Sequence, residues 1–151
     1  ASSVVARTLA AAGLILLLAA APAATAELRV EVTDLRSAKG KVRIALFRTP
    51  ADFAKEEGVF REEVVPAAGG TVTLVLADVP PGTYGLAAFH DENGDGKFDR
   101  AFLGIPREGY GFGNDAPVVF DAPPFEQAAV AVVEPATKTS LRMRYWLGGG
   151  G

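Results

Sequence analysis

The chain has 151 residues, with 15 Lys and Arg, 18 Asp and Glu, and a formal net charge of −3. This weakly acidic balance gives no basis for nucleic-acid binding, which needs concentrated positive charge. The absence of cysteine excludes disulfides, thiolate catalysis and cysteine-ligated metals, and the single histidine excludes a site with two His ligands from one chain. A hydrophobic content of 49% with 17 Gly and 10 Pro is typical of one folded, turn-rich domain.

The first 26 residues have the anatomy of a secretory signal peptide. One basic residue, Arg7, precedes an apolar stretch over residues 9–21, and the small-residue sequence Ala-Thr-Ala closes the segment at residues 24–26. Pro22 interrupts the apolar run before it reaches the roughly 20 residues that span a bilayer, which argues against a membrane anchor. We therefore expect cleavage after Ala26, a periplasmic or secreted location, and no membrane span in the mature chain.

From residue 27 onward, apolar and polar residues alternate over short runs that are separated by turn residues. The runs at 28–32 and 42–46 have this period of two, and the turn before the second run ends in Lys39-Gly40, so the two are predicted to pair as a hairpin. Thr49 followed by Pro50 predicts a short helix with Thr49 as its N-cap.

The remaining runs complete a predicted set of about seven strands. Pro66 predicts that the run at 62–66 is an edge strand, because proline cannot donate to a central ladder. The other predicted strands are 72–76, 84–88, 118–120, 128–133 and the basic run that begins at residue 138. No segment sustains a period of 3.6 residues, so we predict an all-β fold, one antiparallel β-sandwich over residues 27–147, followed by a flexible glycine tail at 148–151.

The stretch from residue 91 to residue 99 reads D-x-N-x-D-G-x-x-D and resembles a calcium-binding loop. Ca²⁺ takes six to eight oxygen ligands, and oxygens at positions 1, 3 and 5 of a tight loop converge on one point. Glycine at position 6 permits the turn, position 7 offers a backbone carbonyl, and position 9 often acts through water. The predicted ligands are the side chains of Asp91, Asn93, Asp95 and Asp99 and the carbonyl of Lys97.

The second half of the calcium pattern is missing. An EF-hand loop needs a bidentate Glu at position 12, where this chain has Phe102, and no flanking helices are predicted. Any affinity should therefore be weak, with a Kd of about 10⁻⁴–10⁻³ M. The alternative is a metal-free acidic turn in which Lys97 and Arg100 balance the carboxylates, and the sequence leaves both interpretations open.

Other candidate residues carry weaker signals. His90 could act as a general base, but as a lone His at a strand end it is predicted to be a structural residue that bonds a loop carbonyl. Ser37 and Ser140 do not lie in a nucleophile elbow, which argues against a serine hydrolase. Tyr110 and Phe112 could form a ligand platform, although anchoring a long loop is the favoured role.

The central run FHDENGDGKFDRAFLGIPREGYGFGNDA, preceded by PPGTYGLA, resembles the exported bacterial family DUF2141. The counterparts of the family's segments are Pro81–Tyr84, Phe89–Asp99, Gly104–Ala116 and Pro123–Ala129. The chain has Asp95 where the family often has Asn, which strengthens the ion site. The resemblance implies an exported, Ig-like or prealbumin-like sandwich and implies no activity, because the family has none assigned.

Taken together, these observations favour an exported, non-enzymatic binding or accessory module with one weak, structural calcium site. We expect a monomer whose partner is a protein or a glycan at the bacterial cell envelope. Two alternatives stay open: a small carbohydrate-active enzyme that uses carboxylates near His90, and a purely structural module that binds no ion.

The first prediction concerns processing at the N-terminus. Because residues 24–26 form a small-residue cleavage site, the exported protein should begin at Glu27. Intact-mass spectrometry of the exported protein tests this. A mature species that retains residues 14–18 would contradict cleavage and favour an anchor.

Overall fold

The computed structural model of the chain describes residues 11–146. Residues 11–25 are exposed and have no regular secondary structure, and the first strand begins at Ala26, beside the predicted cleavage point. In the described range, no helix is long and apolar enough to cross a membrane. The basic start of the predicted signal peptide, at Arg7, and the glycine tail at 148–151 lie outside the described residues.

Within this range the chain forms eight strands and two short α-helices. Two 3₁₀ turns, Phe102–Gly104 and Gly113–Asp115, flank the sixth strand. The elements in chain order are β1 (Ala26–Leu35), β2 (Lys41–Phe47), α1 (Pro50–Lys55), β3 (Arg61–Pro66), β4 (Gly70–Val79), β5 (Gly82–Asp91), β6 (Gly109–Phe112), α2 (Phe125–Ala128), β7 (Ala129–Val132) and β8 (Ala136–Arg142).

The strands form two sheets that pack together as a sandwich, which confirms the predicted all-β fold. The first sheet has the order β4-β1-β8, and the second has the order β3-β2-β5-β6 with β7 also paired to β5. One pairing departs from the antiparallel prediction, because β8 runs parallel to β1. The reason is topological: β8 follows a strand of the opposite sheet, so its direction is set by that crossover and not by a hairpin with its neighbour.

The predicted hairpin between the first two runs is wrong. β1 pairs with β4 and β8, whereas β2 pairs with β3 and β5 in the other sheet. Alternation defines which face of a strand is buried but not which strand lies beside it. Both strands bury their apolar face in the same core, and its largest fully buried side chains include Leu28, Val30, Val32, Val42, Ile44 and Leu46.

The structure corrects two further predictions in the second half of the chain. The run at 118–120 is not a strand but an exposed irregular segment, in which Phe120 is 98% exposed. In contrast, Gly109–Phe112 forms β6 at the sheet edge, where its two glycines hid the alternating pattern. Gly111 is required there because a Cβ would lie 2.6 Å from the carbonyl oxygen of Arg142.

Several local predictions are confirmed. The Thr49 hydroxyl accepts a hydrogen bond from the Asp52 N–H at 3.1 Å and caps α1, which has Pro50 in its first turn. β3 is an edge strand that ends at Pro66. A second apolar cluster covers the outer face of the five-stranded sheet, where Phe53 of α1 packs edge-on against Phe47 with ring centroids 5.6 Å apart.

The connection between β1 and β2 packs directly against the end of β5. Gly40 in this connection has a φ of +67°, and a Cβ there would lie 1.9 Å from the carbonyl oxygen of Asp91. Both the positive φ and the backbone contact require glycine at this position.

The second prediction tests this contact. Gly40→Ala should lower the free energy of unfolding by at least about 2 kcal/mol more than Gly104→Ala, measured by denaturant titration in calcium-free buffer. Gly104 is the matched control because it has a similar φ of +74° and open space around its Cβ position. Equal losses for the two variants would mean that the chain does not pack as closely as described.

Candidate functional site

The candidate site begins at the end of β5, where two consecutive polar residues are both fully buried. His90 and Asp91 each have 0% exposure. Successive residues of a strand point to opposite faces, so His90 contacts the core between the sheets while Asp91 lies on the outer face. Neighbouring strands fix this alternation, because Val42 of β2 and Gly109 of β6 both pair with His90.

His90 is held on both ring nitrogens. Nε2 lies 2.7 Å from the carbonyl oxygen of Lys39, which can only accept, so Nε2 carries the proton. Nδ1 lies 2.7 Å from the hydroxyl of Tyr145, which donates to it when the imidazole carries a single proton. Burial raises the pKa of Tyr145, which keeps that hydroxyl protonated. The prediction that His90 bonds a loop carbonyl is confirmed.

Asp91 has one satisfied oxygen and one without a partner. Oδ2 accepts hydrogen bonds of 2.9 Å from Nε of Arg43 and from the N–H of Gly96. Burial by itself would raise the pKa of Asp91, but these hydrogen bonds outweigh it and hold the pKa below its ordinary value. Oδ1 is buried and has no hydrogen-bond partner among residues 11–146. A charged oxygen left this way is costly unless a cation or donor reaches it.

The rest of the predicted calcium loop lies at the surface and forms hydrogen bonds within itself. Asn93 Oδ1 accepts from the N–H of Asp95 at 3.1 Å, and Asp95 Oδ1 accepts from the N–H of Lys97 at 2.8 Å. The Asn93 amide also donates to Asp99 Oδ2. The five predicted ligands therefore share one loop, but among the described residues no three His, Cys, Asp or Glu side chains are grouped as a ready metal site.

One of the two cations expected from the sequence to balance the loop pairs elsewhere. Arg100 forms its ion pair with Glu56 at 2.9 Å, outside the loop, and Asp91 is instead neutralised by Arg43 of β2. Sequence proximity was misleading because neighbouring strands bring Arg43 beside β5 from 48 residues away.

Glu92 is also engaged from outside the loop. Its carboxylate accepts from Nε of Arg36 at 2.9 Å and from the hydroxyl of Ser37 at 2.9 Å. Burial by itself would raise the pKa of Glu92, but the hydrogen bonds from Arg36 and Ser37 hold it below its ordinary value. Both partners belong to the connection between β1 and β2, so this carboxylate fastens that connection to the start of the loop.

Glu108 is the residue that the sequence analysis missed. It is 4% exposed, and its Oε2 accepts from the N–H of Asp99 at 3.2 Å. Its Oε1 is the other buried side-chain oxygen without a partner among the described residues. Burial raises its pKa, and the nearby charges of Asp99, Asp91 and Asp95 raise it further. No local pattern signals this position, because Glu108 meets the loop only through the tertiary structure, directly before β6.

Aromatic rings next to the loop line a cleft on the outer face of the five-stranded sheet. The cleft has a volume of about 290 Å³. Phe98 packs against Phe89 and Tyr110 with ring centroids 5.7 and 6.4 Å apart, and Phe112 packs against Phe53 at 5.9 Å. The rings of Tyr110 and Phe112 thus anchor the segment as favoured from the sequence, and their use as a ligand platform stays a prediction.

Comparison with known proteins identifies the family. The chain matches DUF2141, described as "Uncharacterized protein conserved in bacteria", over residues 30–140, and it belongs to that family. The matched range includes β2 to β7, the acidic loop and Glu108. No curated protein and no solved structure matches the chain.

The third prediction concerns Glu92. A carboxyl whose native pKa is lowered stabilises the fold above its unfolded-state pKa of about 4.3, and this stabilisation disappears as the pH falls through the native pKa. In calcium-free buffer, Glu92→Gln should cost roughly 1 kcal/mol of unfolding free energy at pH 7, and the difference from wild type should shrink toward pH 3.

Denaturant titrations at pH 7, 4.5 and 3 measure this difference. Glu31→Gln is the control, because Glu31 is exposed on β1 and should show little effect at any of these pH values. A cost for Glu92→Gln that stays constant or grows as the pH falls would contradict the assigned ion pair.

Proposed function

We propose that this member of the DUF2141 family is an exported, non-enzymatic β-sandwich module whose 91–99 loop binds a calcium ion with a structural role. The observation that carries the proposal is Asp91 Oδ1, a fully buried carboxylate oxygen without a partner at position 1 of the loop. Arg43 and Gly96 fix the other oxygen, so the carboxylate is held in place while Oδ1 stays available. A hard divalent cation is the partner that such an oxygen favours.

The remaining loop oxygens support the same ion. The side chains of Asn93, Asp95 and Asp99 and the carbonyl of Lys97 lie within the same short loop, whose turns at Gly94 and Gly96 have φ values of 72° and 78°. Their hydrogen bonds are made within the loop, so an ion can replace them without disturbing either sheet. Binding would draw Asp95 and Asp99 toward the buried Asp91, the only one of the three that is fully enclosed.

The role that we propose for the ion is to order the segment between β5 and β6. Phe98 lies inside the loop and packs on Phe89 and Tyr110, so an ordered loop also fixes one wall of the aromatic cleft. A weak site suits an exported protein, because extracellular calcium modules bind in the range of about 10⁻⁴–10⁻³ M. The expected partner of the monomer is a protein or glycan at the cell envelope.

The fourth prediction tests the ion. If calcium binds only the native state, a free concentration of about ten times Kd should add roughly 1.4 kcal/mol and raise the Tm by a few degrees. Thermal melts of the full chain with and without CaCl₂, at matched ionic strength, measure the shift. MgCl₂ should give a smaller shift, because Mg²⁺ demands a rigid octahedral shell that a flexible carboxylate loop fits poorly.

Asp95→Ala should abolish the calcium-dependent shift. Asp95 is preferred to Asp91 for this test, because replacing Asp91 also breaks the hydrogen bonds from Arg43 and Gly96 and destabilises the fold without calcium. Asp121→Ala is the matched control, since it removes an exposed aspartate outside the loop and should leave the shift intact. Absence of any wild-type shift would favour the metal-free acidic turn, and equal shifts in wild type and Asp95→Ala would place the ion elsewhere.

A further inference from the structure

The nine-residue loop does not by itself complete a calcium shell. Its predicted donors supply about five oxygens, whereas Ca²⁺ takes six to eight, and position 12 of the pattern is Phe102. A bidentate carboxylate from outside the loop would close this gap.

Strand pairing brings Glu108 to that place. In the antiparallel ladder of β5 and β6, Phe89 pairs with Tyr110 and His90 pairs with Gly109. Continuing this register by one residue puts Glu108 opposite Asp91. Residues that are opposite each other in such a ladder share a face of the sheet, with Cβ atoms about 4.5–5.5 Å apart.

The segment between the loop and β6 closes on itself and so delivers Glu108 to this position. The N–H of Arg107 donates to the carbonyl oxygen of Asp99 at 2.9 Å, and Arg100 forms a β-bridge with Pro106. These contacts tie the chain together on either side of the 3₁₀ turn at Phe102–Gly104. Glu108 therefore lies close to Asp99 in space, although the two are nine positions apart in the sequence.

The two carboxylates of this pair are only partly satisfied by hydrogen bonds. Two buried carboxylates opposite each other on neighbouring strands repel. Arg43 reaches Asp91 Oδ2, whereas Asp91 Oδ1 and Glu108 Oε1 are the two buried side-chain oxygens without a partner among residues 11–146. They belong to the two residues that the extended register of β5 and β6 places opposite each other. An ion between them would satisfy both oxygens at once.

We infer that Glu108 supplies the closing carboxylate of the calcium site, in the role that position 12 fills in an EF-hand loop. This inference rests on the proposed function. Bidentate ligation by Glu108 brings the shell to about seven oxygens, within the range that Ca²⁺ prefers. The ion then connects the end of β5, the loop and the start of β6. Glu108 contributes to the calcium affinity although it lies outside the 91–99 motif.

The fifth prediction compares two glutamates at the same site. Isothermal titration of the full chain with CaCl₂ should show that Glu108→Gln lowers the affinity at least about tenfold. Glu92→Gln removes the same charge within the loop, but the Glu92 carboxylate is bonded to Arg36 and Ser37. The calcium affinity of this variant should therefore fall by about threefold or less. Glutamine keeps the size of the side chain and can donate a hydrogen bond to Asp91, so the variant should fold.

The outcomes separate this inference from the proposed function. If wild type binds no calcium, the proposed function fails. If wild type binds and the two variants lose affinity equally, the loop site stands and the assignment of Glu108 is wrong. Circular dichroism checks the fold of each variant. If Glu108→Gln does not fold, Glu108→Asp carries the same comparison, because it keeps the charge but shortens the reach and should also lose at least about tenfold.

Discussion

The pairing of β5 along both of its edges is the constraint on which the rest of the structure depends. β2 occupies one edge, and β6 and β7 share the other, so every side chain of β5 is assigned to a face. The last two residues of β5 are polar, and the alternation of side chains places them on opposite faces of the sheet. His90 joins a hydrogen-bond network in the core, and Asp91 joins the charged outer face. A slip of one residue would exchange them and bury the carboxylate in the apolar core.

The negative charges of the site are neutralised unevenly, because only some of its carboxylates have a cationic partner. Asp91 and Glu92 each have an arginine partner, whereas the carboxylate of Glu108 meets an N–H of Asp99 and no cation among the described residues. Burial and the surrounding carboxylates therefore raise the pKa of Glu108 while the other two are lowered. Removing charges from water costs several kcal/mol per ion unless partners replace the water. The proposed divalent cation would serve the unpartnered oxygens of Asp91 and Glu108 together.

The position of the loop also connects it to the aromatic cleft. Phe98 is part of the loop, and it packs between Phe89 of β5 and Tyr110 of β6. An ion that orders the loop would therefore also fix one wall of the cleft. A ligand that fills the cleft would in turn restrain the loop. Two binding steps that restrict the same segment are coupled, because the second step loses less conformational entropy once the first has ordered the segment. The sandwich core itself is separate from this outer face, because it is closed by the apolar sides of the two sheets.

Local patterns in the sequence determined the strands with clear alternation, the capped helix at Thr49, the buried structural role of His90 and the oxygen-rich loop that starts at Asp91. These features depend on residues close together in the chain, where periodicity and turn chemistry act directly. Tertiary structure alone decided that β1 and β2 lie in different sheets, that β8 runs parallel to β1, and that Arg43 and Glu108 meet the loop. The physical reason is that alternation gives each strand a buried face but no partner, so contacts between distant residues follow from strand pairing and not from any local pattern.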